Sequence, residues 1–195
     1  MKRILFLVFI MAALAFTSKD AFFISTEVNI EPESSLSVKG TTNVNTFKCI
    51  YNVTKFKNPI PVNYHLENGK MVFNKTVLVL NNNCFDCGGK AINNDFQDIL
   101  KSHQYPEINL VLKEIKSLEE NTNVEVFVDI EIAGVKRPYV IPVNLDEKDN
   151  MFINGHVDIC LTDFHITAPK KFFGLISVDN EIGIEFKLVV QEEES

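Results

Sequence analysis

Apolar residues recur at every second position over long stretches of this chain. Val124, Val126, Val128, Ile130 and Ile132 alternate with Glu125, Phe127, Asp129 and Glu131. Ile182, Ile184, Phe186, Leu188 and Val190 alternate with Gly183, Glu185, Lys187 and Val189, and Phe47, Cys49, Tyr51 and Val53 with Lys48, Ile50 and Asn52. Successive side chains on a β-strand point to opposite faces, so this period gives each strand one apolar face and one mainly wet face. Strands of that kind suit an antiparallel sheet with one face on a core.

Turn signals separate the alternating stretches. Asn68-Gly69, between Tyr64-His65-Leu66 and Met71-Val72-Phe73, reads as a two-residue hairpin. Ala133-Gly134 marks a reversal before Val135-Lys136-Arg137-Pro138. Asp146 to Asn150 separates Val140–Leu145 from Met151–Cys160, and Asp179-Asn180 separates Leu175–Val178 from the last strand. About eight or nine strands fit between Ser25 and Gln191, the pattern of a sandwich or a barrel. One helix is expected over Asn94–Lys101, capped by Asn94 or Asp95, with Phe96, Ile99 and Leu100 on one stripe and its end before Pro106. The expected fold is therefore all-β: an antiparallel barrel of about eight strands with one short helix. Such a barrel encloses just enough space for its own side chains or for one small ligand. Periodicity does not distinguish the two.

The first residues point to export. Lys2 and Arg3 precede an unbroken apolar run from Ile4 to Phe16, followed by Thr17 and Ser18. That order is the signature of a secretory leader, and the run falls short of the roughly 20 residues that span a bilayer. Residues 1–20 are expected to be removed by cleavage between Ala15 and Ala21, leaving one barrel domain over residues 25–191 in the periplasm or outside the cell. No cysteine precedes Cys49, so no lipid anchor is expected at the cleavage site, and no later run is long and apolar enough to predict an integral membrane segment. The formal charge of −7 lacks any basic patch beyond the pair Lys170-Lys171. Phosphate contacts dominate nucleic-acid affinity, so nucleic acid is not an expected partner. Sixteen Phe and no Trp are enough rings to fill a large core or to line a large apolar cavity.

Signs of chemistry are sparse. There is no H-E-x-x-H, no G-x-S-x-G and no Gly-rich phosphate loop. His156, Cys160, Asp163 and His165 lie close in sequence, but on a regular strand the first two take one face and the last two the other. No metal site is expected there. The four cysteines, Cys49, Cys84, Cys87 and Cys160, suggest up to two disulfides in an exported chain. Cys84-Phe85-Asp86-Cys87 has the spacing of a redox pair, yet it lacks the strand-to-helix setting that stabilises a thiolate. The preferred reading is structural: Cys49 with Cys87, and Cys84 either with Cys160 or free, though spacing alone does not fix connectivity. A thiol-dependent enzyme would need Cys84 or Cys87 reduced and exposed. Asn52-Val53-Thr54 and Asn74-Lys75-Thr76 are glycosylation acceptors only in a eukaryotic source.

Five segments, taken in order, resemble the YceI-like family of exported lipid-binding proteins. The opening Leu36-Ser37-Val38-Lys39-Gly40-Thr41-Thr42-Asn43-Val44 up to Phe47 resembles its first strand pair. Ile92 to Leu100 followed by Tyr105-Pro106-Glu107-Ile108 resembles its short helix and strand entry. Val128-Asp129-Ile130-Glu131-Ile132-Ala133-Gly134-Val135-Lys136 resembles its central hairpin, and Gly155-His156-Val157-Asp158-Ile159 up to Asp163-Phe164-His165-Ile166 resembles a later strand. Val178-Asp179-Asn180-Glu181-Ile182-Gly183-Ile184 resembles its closing hairpin. The likeness runs from Glu31 to Val190. It departs where the family's more typical opening has a His before Gly-x-Phe and this chain reads Lys39-Gly40-Thr41, and in the cysteines, which are not general to the family.

The resemblance implies a lipocalin-like barrel that holds an amphiphilic lipid, an isoprenoid or isoprenoid quinone, in a long apolar pocket, with no catalysis and no other cofactor. The candidate lining residues are Phe47, Tyr51, Phe96, Leu100, Ile108, Leu110, Leu112, Val126, Ile130, Ile132 and Phe164. Binding would draw on apolar area removed from water at about 25 cal/mol per Å². The alternative is that these side chains pack against one another, as most interiors do, in a filled barrel that serves as a structural or interaction protein in an envelope stress response. The oligomeric state is left open, a dimer included.

Overall fold

The computed structural model describes residues 23–117, 122–147, 150–168, 170–171 and 175–193, so the expected leader lies outside the described residues. The strands are β1 (Ile24–Ile30), β2 (Ser35–Thr42), β3 (Thr46–Tyr51), β4 (Ile60–Glu67), β5 (Lys70–Phe73), β6 (Val77–Asn81) and β7 (Phe85–Asp86). After the helix α1 (Lys90–Ile99) come β8 (Glu107–Ser117), β9 (Asn123–Ile132), β10 (Val135–Glu147), β11 (Met151–Cys160), β12 (Lys170–Lys171) and β13 (Ile176–Glu192).

Eight of these close a ring in the order β1, β4, β5, β8, β9, β10, β11, β13, every neighbouring pair antiparallel. The ring shuts where Val28–Ile30 of β1 pair with Val190–Glu192 of β13. Closure leaves no open sheet edge around the circuit, which is how a barrel avoids edge-to-edge association. The long strand β13 makes this possible. Along one side it pairs with β11, and along the other it pairs first with β2 and then with β1. The same division occurs on β8, which pairs with β5 near Ile115 and with β6 near Leu110. β2, β3 and the two-residue β7 thus extend the sheet beyond the ring.

More strands form than the eight or nine expected: bends at residues 31–34 and 74–76 separate β1 from β2 and β5 from β6, and the two-residue β7 and β12 add short pairings. Asp179-Asn180 is not a hairpin turn. β13 runs through it with a bulge between Val178 and Ile182, so the extra residues are absorbed by a kink within one strand. The helix starts at Lys90, four residues ahead of the expected Asn94 cap. Gly89 precedes it, its carbonyl accepts the first helical hydrogen bond from Asn93, and the Asn93 side chain is already engaged with Asp86 and the Cys87 amide. Both Asn68-Gly69 and Ala133-Gly134 have positive φ at both positions, the geometry that matches the right-handed twist of a two-residue hairpin. At Gly134 a Cβ would also stand 2.5 Å from the Tyr105 ring, so no larger residue fits.

The two ends of the barrel differ. At one end, called here the hairpin end, β4, β8 and β10 finish and β5, β9 and β11 begin. At the other, the helix end, are α1, the β9–β10 turn against Tyr105, and a 3-10 turn over Leu161–Phe164 that follows β11. The most buried side chains, Cys49, Tyr51, Ile130 and Phe164, all lie toward the helix end.

Candidate functional site

Pairing register settles which side chains share the inside of the ring. Leu110 is opposite Ile130, Val126 is opposite Ile141, and Ile108 on β8 is opposite Leu80. The chain of pairs continues through Leu145 opposite Ile153 and Ile153 opposite Leu188, around to Ile184 opposite Val38 and Cys49 opposite Val38. The candidates Phe47, Tyr51, Ile108, Leu110, Leu112, Val126, Ile130 and Ile132 therefore lie on one continuous inner face. Phe96 reaches it from α1, and Leu100 caps that helix and is buried. Leu112 sits beside the bulge that β8 makes between Leu112 and Glu114. Phe164 is on no strand. It is fully buried in the 3-10 turn after β11 and stacks on Tyr139 with ring centroids 6.1 Å apart.

Burial along the inner face is uneven. At the helix end Leu80, Ile108, Ile130, Ile132, Ile159 and Ile182 are buried. Toward the middle and the hairpin end Val124, Val128, Ile141 and Val143 are buried as well, while Leu110, Ile115, Val126, Leu145, Ile153, Ile184, Phe186 and Leu188 stay only half-buried although they share that face. A side chain aimed at the axis of a tightly filled barrel has no solvent to meet. Half-burial of so many inward residues marks an interior that is filled unevenly. Gly155 and Gly40 fit the same picture from the other side. A Cβ at either would collide with the Phe186 or Phe47 ring, so glycine makes room for large rings inside the wall.

The packed end is built from aromatic rings. Tyr51 packs between Phe56 and Phe85, with centroids 5.0 and 4.9 Å away, and Phe85 meets Phe96 at 5.1 Å. The Tyr51 hydroxyl is buried near the Cys84 thiol and the Asn81 backbone without a well-formed hydrogen bond, and burial pushes its pKa up. Cys49 and Cys87 form a disulfide that ties β3 to the residue after β7. Cys84 and Cys160 are both free and half-buried.

The histidines are engaged locally. The strand ends at Cys160, so Asp163 and His165 follow from the 3-10 turn and not from the opposite strand face expected for them. His156 Nε2 lies 2.9 Å from Asp158 Oδ1 on the outer face, and His165 Nε2 lies 3.4 Å from Arg137. Among the described residues no group of His, Cys, Asp and Glu is arranged to hold a metal. A cleft of about 910 Å³ beside β2 and β3 is lined by Lys39, Lys48, Glu181, Gly183 and Cys160 together with Gly40 and Phe47.

Sequence reasoning missed Arg137 and Tyr139. Both share the inner face with Val135 and Ile141, and the alternation from Val135 to Val143 carried that signal. The Tyr139 hydroxyl donates to Asp163 at 3.3 Å, and its pKa is pushed up to about 12, first by burial and then by the Asp163 carboxylate.

Comparison with known proteins follows this geometry. The model of the YceI-like domain matches residues 67–190, well over half of the chain. No curated protein matches it by sequence. Among solved structures, BcnA of Burkholderia cenocepacia superposes with a TM-score of 0.65 at 19% identity, over 84% of this chain and 99% of that one. A polyisoprenoid binding domain from Saccharophagus degradans, implicated in plant cell wall breakdown, gives 0.60 at 12% identity over 89% and 100%. The YceI protein of Campylobacter jejuni gives 0.55 at 15% identity over 72% and 84%. At these identities the structures share a fold with this chain.

Proposed function

The chain belongs to the YceI-like family, and from that premise we propose that it is an exported lipid-binding protein that holds an isoprenoid, an isoprenoid quinone or another amphiphilic chain against the inner wall of its barrel, without catalysis. The observation that carries this reading is the set of half-buried apolar residues on the inner face, Leu110, Val126, Leu145, Ile153, Ile184 and Leu188 among them. An extended hydrocarbon needs such a wall, because its affinity comes from area removed from water and not from directed bonds. The polyisoprenoid-binding function named for the Saccharophagus degradans domain supports the same ligand class. The candidate contacts are Leu110, Leu112 and Val126, together with Phe47, Ile108, Ile130 and Ile132. Tyr51, Phe96, Leu100 and Phe164 would then close the end of the pocket. The Lys2–Phe16 stretch supports export to the periplasm or beyond.

Native mass spectrometry of protein purified from its own envelope, followed by organic extraction, tests this reading. A reproducible mass excess that extracts as an isoprenoid or similar lipid is the expected result. A bare mass, with no uptake of added isoprenoids, would sink it. The packed helix end would then favour a filled barrel acting as a structural or interaction protein.

A further inference from the structure

The barrel wall is not stitched between β4 and β6. The ring closes through β5, which pairs with β4 on one side and with β8 on the other. Beyond the bend at residues 74–76, β6 takes the place beside β8 and pairs with no other strand. Its second edge faces the start of β4, and no backbone hydrogen bond joins the two. The sequence supplies the reason. Alternate residues of a strand aim their N–H and C=O to the same side. Asn63 donates its N–H to Thr76 Oγ1 and accepts from the Asn74 amide, so the odd-numbered residues of β4 face β5 and β6. Glu27, opposite Pro61 on β1, accordingly turns its carbonyl to the Glu193 amide on its far side. The next odd positions toward the helix end are Pro61 and Pro59, and proline has no N–H to give. On the other lip, Thr76 turns its carbonyl to the Leu112 amide of β8, which leaves the backbone groups of Val77 and Val79 aimed at the prolines.

Both lips are apolar. A groove of about 220 Å³ lies along the seam, lined by Pro59, Ile60, Pro61, Val77, Leu78 and Val79. Ile60 and Leu78 belong to the inner face, opposite Val28 and Leu110, while Pro61, Val77 and Val79 alternate to the outside. The seam therefore joins the outer surface to the inner wall through apolar side chains. Two side-chain ties span it. One is the bond from the Asn63 amide to Thr76 Oγ1, at 3.1 Å. The other is the ion pair between Lys57, which also lines the groove, and Glu107 on β8, at 2.8 Å. Water competes for that pair, because the Lys57 side chain is 62% exposed. We propose that the β4–β6 seam is a lateral portal through which a hydrocarbon chain passes between the outside and the inner wall. This rests on the lipid-binding reading above and adds the route. Every neighbouring pair in the ring has a ladder that must break before it parts, whereas parting β4 from β6 breaks none.

A bridge across the seam tests the portal. Pro61→Cys with Val77→Cys, in a chain carrying Cys84→Ser and Cys160→Ser, lets a short bismaleimide join the two lips from outside while the Cys49–Cys87 disulfide stays intact. Thermal melts establish that the chain is folded before and after bridging. Stopped-flow fluorescence then follows uptake and release of dansylated farnesol. A route changes rates and not the bound state, so bridging should slow both steps by about tenfold and leave Kd within about twofold. Unchanged rates in the bridged protein overturn the portal and leave the pocket standing. A weakened Kd with unchanged rates of uptake also overturns it, since the seam would then be part of the bound site and not the way in. No binding by the unbridged protein overturns both portal and pocket. If the four-substitution chain fails to fold, Lys57→Ala in the otherwise unaltered chain decides. It removes the ion pair and should speed uptake about threefold, and an unchanged rate overturns the portal.

Discussion

Phe164 and Tyr139 show how a single residue closes the helix end. Phe164 is 0% exposed, and its ring lies within 4° of the plane of Tyr139. Phe164→Ala should cost about 3–5 kcal/mol by chemical denaturation, since the wall around it is tied into strands and cannot collapse into the void. A loss below about 1 kcal/mol would show that the turn repacks, at odds with that rigidity. Tyr139 predicts a pH dependence. The folded chain holds its phenolic proton more tightly than the unfolded chain, where tyrosine titrates near 10. Its contribution to stability is therefore intact below pH 10 and lost as pH rises toward about 12. Ultraviolet titration should show late tyrosine ionisation, from Tyr139 and the buried Tyr51, and Tyr139→Phe should remove part of it. At this scale Arg137 was legible in principle, because the alternation from Val135 puts it on the face of Val135 and Ile141. The stacking of Phe164 was not, because the residue leaves the strand period at Cys160.

Among the elements, β7 and α1 are the least secured by pairing. β7 meets β3 only through Asp86 opposite Ile50 and Phe85 opposite Tyr51. The Cys49–Cys87 disulfide, with a sequence separation of 38, does most of the tethering. A loop of that length restricts the unfolded chain by about 4 kcal/mol on the chain-entropy model. Reduction, or Cys49→Ser, should lower stability by up to that amount and expose residues 84–89 to proteolysis first. An unchanged proteolytic pattern would mean that the aromatic cluster alone holds the segment. Asp86 joins β7 to α1. Its carboxylate accepts from the Asn93 side chain and the Gly88 amide, which hold its pKa below the ordinary 3.8. That link is present above pH 4 and is lost as pH falls through the lowered value, so amide exchange in α1 should quicken in acid and Asp86→Asn should blunt the change. The sequence announced the helix through the Phe96, Ile99 and Leu100 stripe. Its start was hidden because Asn93 and Asn94, good caps by type, are drawn into the helix by the bonds of Asn93 to β7.

For the whole molecule, the ring has strong and weak seams. β9 and β10 pair from Asn123 to Ile132, and β11 and β13 from Met151 to Cys160, while the closure of β1 on β13 rests on Val28–Ile30 and that of β5 on β8 on Lys70–Val72. Hydrogen exchange should be fastest at those two short seams and slowest along β9 and β10. Slowest exchange at the β1–β13 seam would overturn this ordering and imply that the ring is held from its closure point.

What the sequence by itself determined is the local code: period-two faces, the Asn68-Gly69 and Ala133-Gly134 turns, one short helix and an inner wall made of apolar residues. Each is fixed by contacts between neighbours in the chain, so each can be read from a few consecutive residues. The tertiary structure alone decided which strands share the ring, that β13 serves both β1 and β2, that Asp179-Asn180 is a bulge, and which inner-face side chains are buried and which are left half-buried. Those outcomes depend on pairings between residues as far apart as Val28 and Glu192. Alternation states which face a side chain takes, but only the closure of the ring sets how much space that face is left to fill.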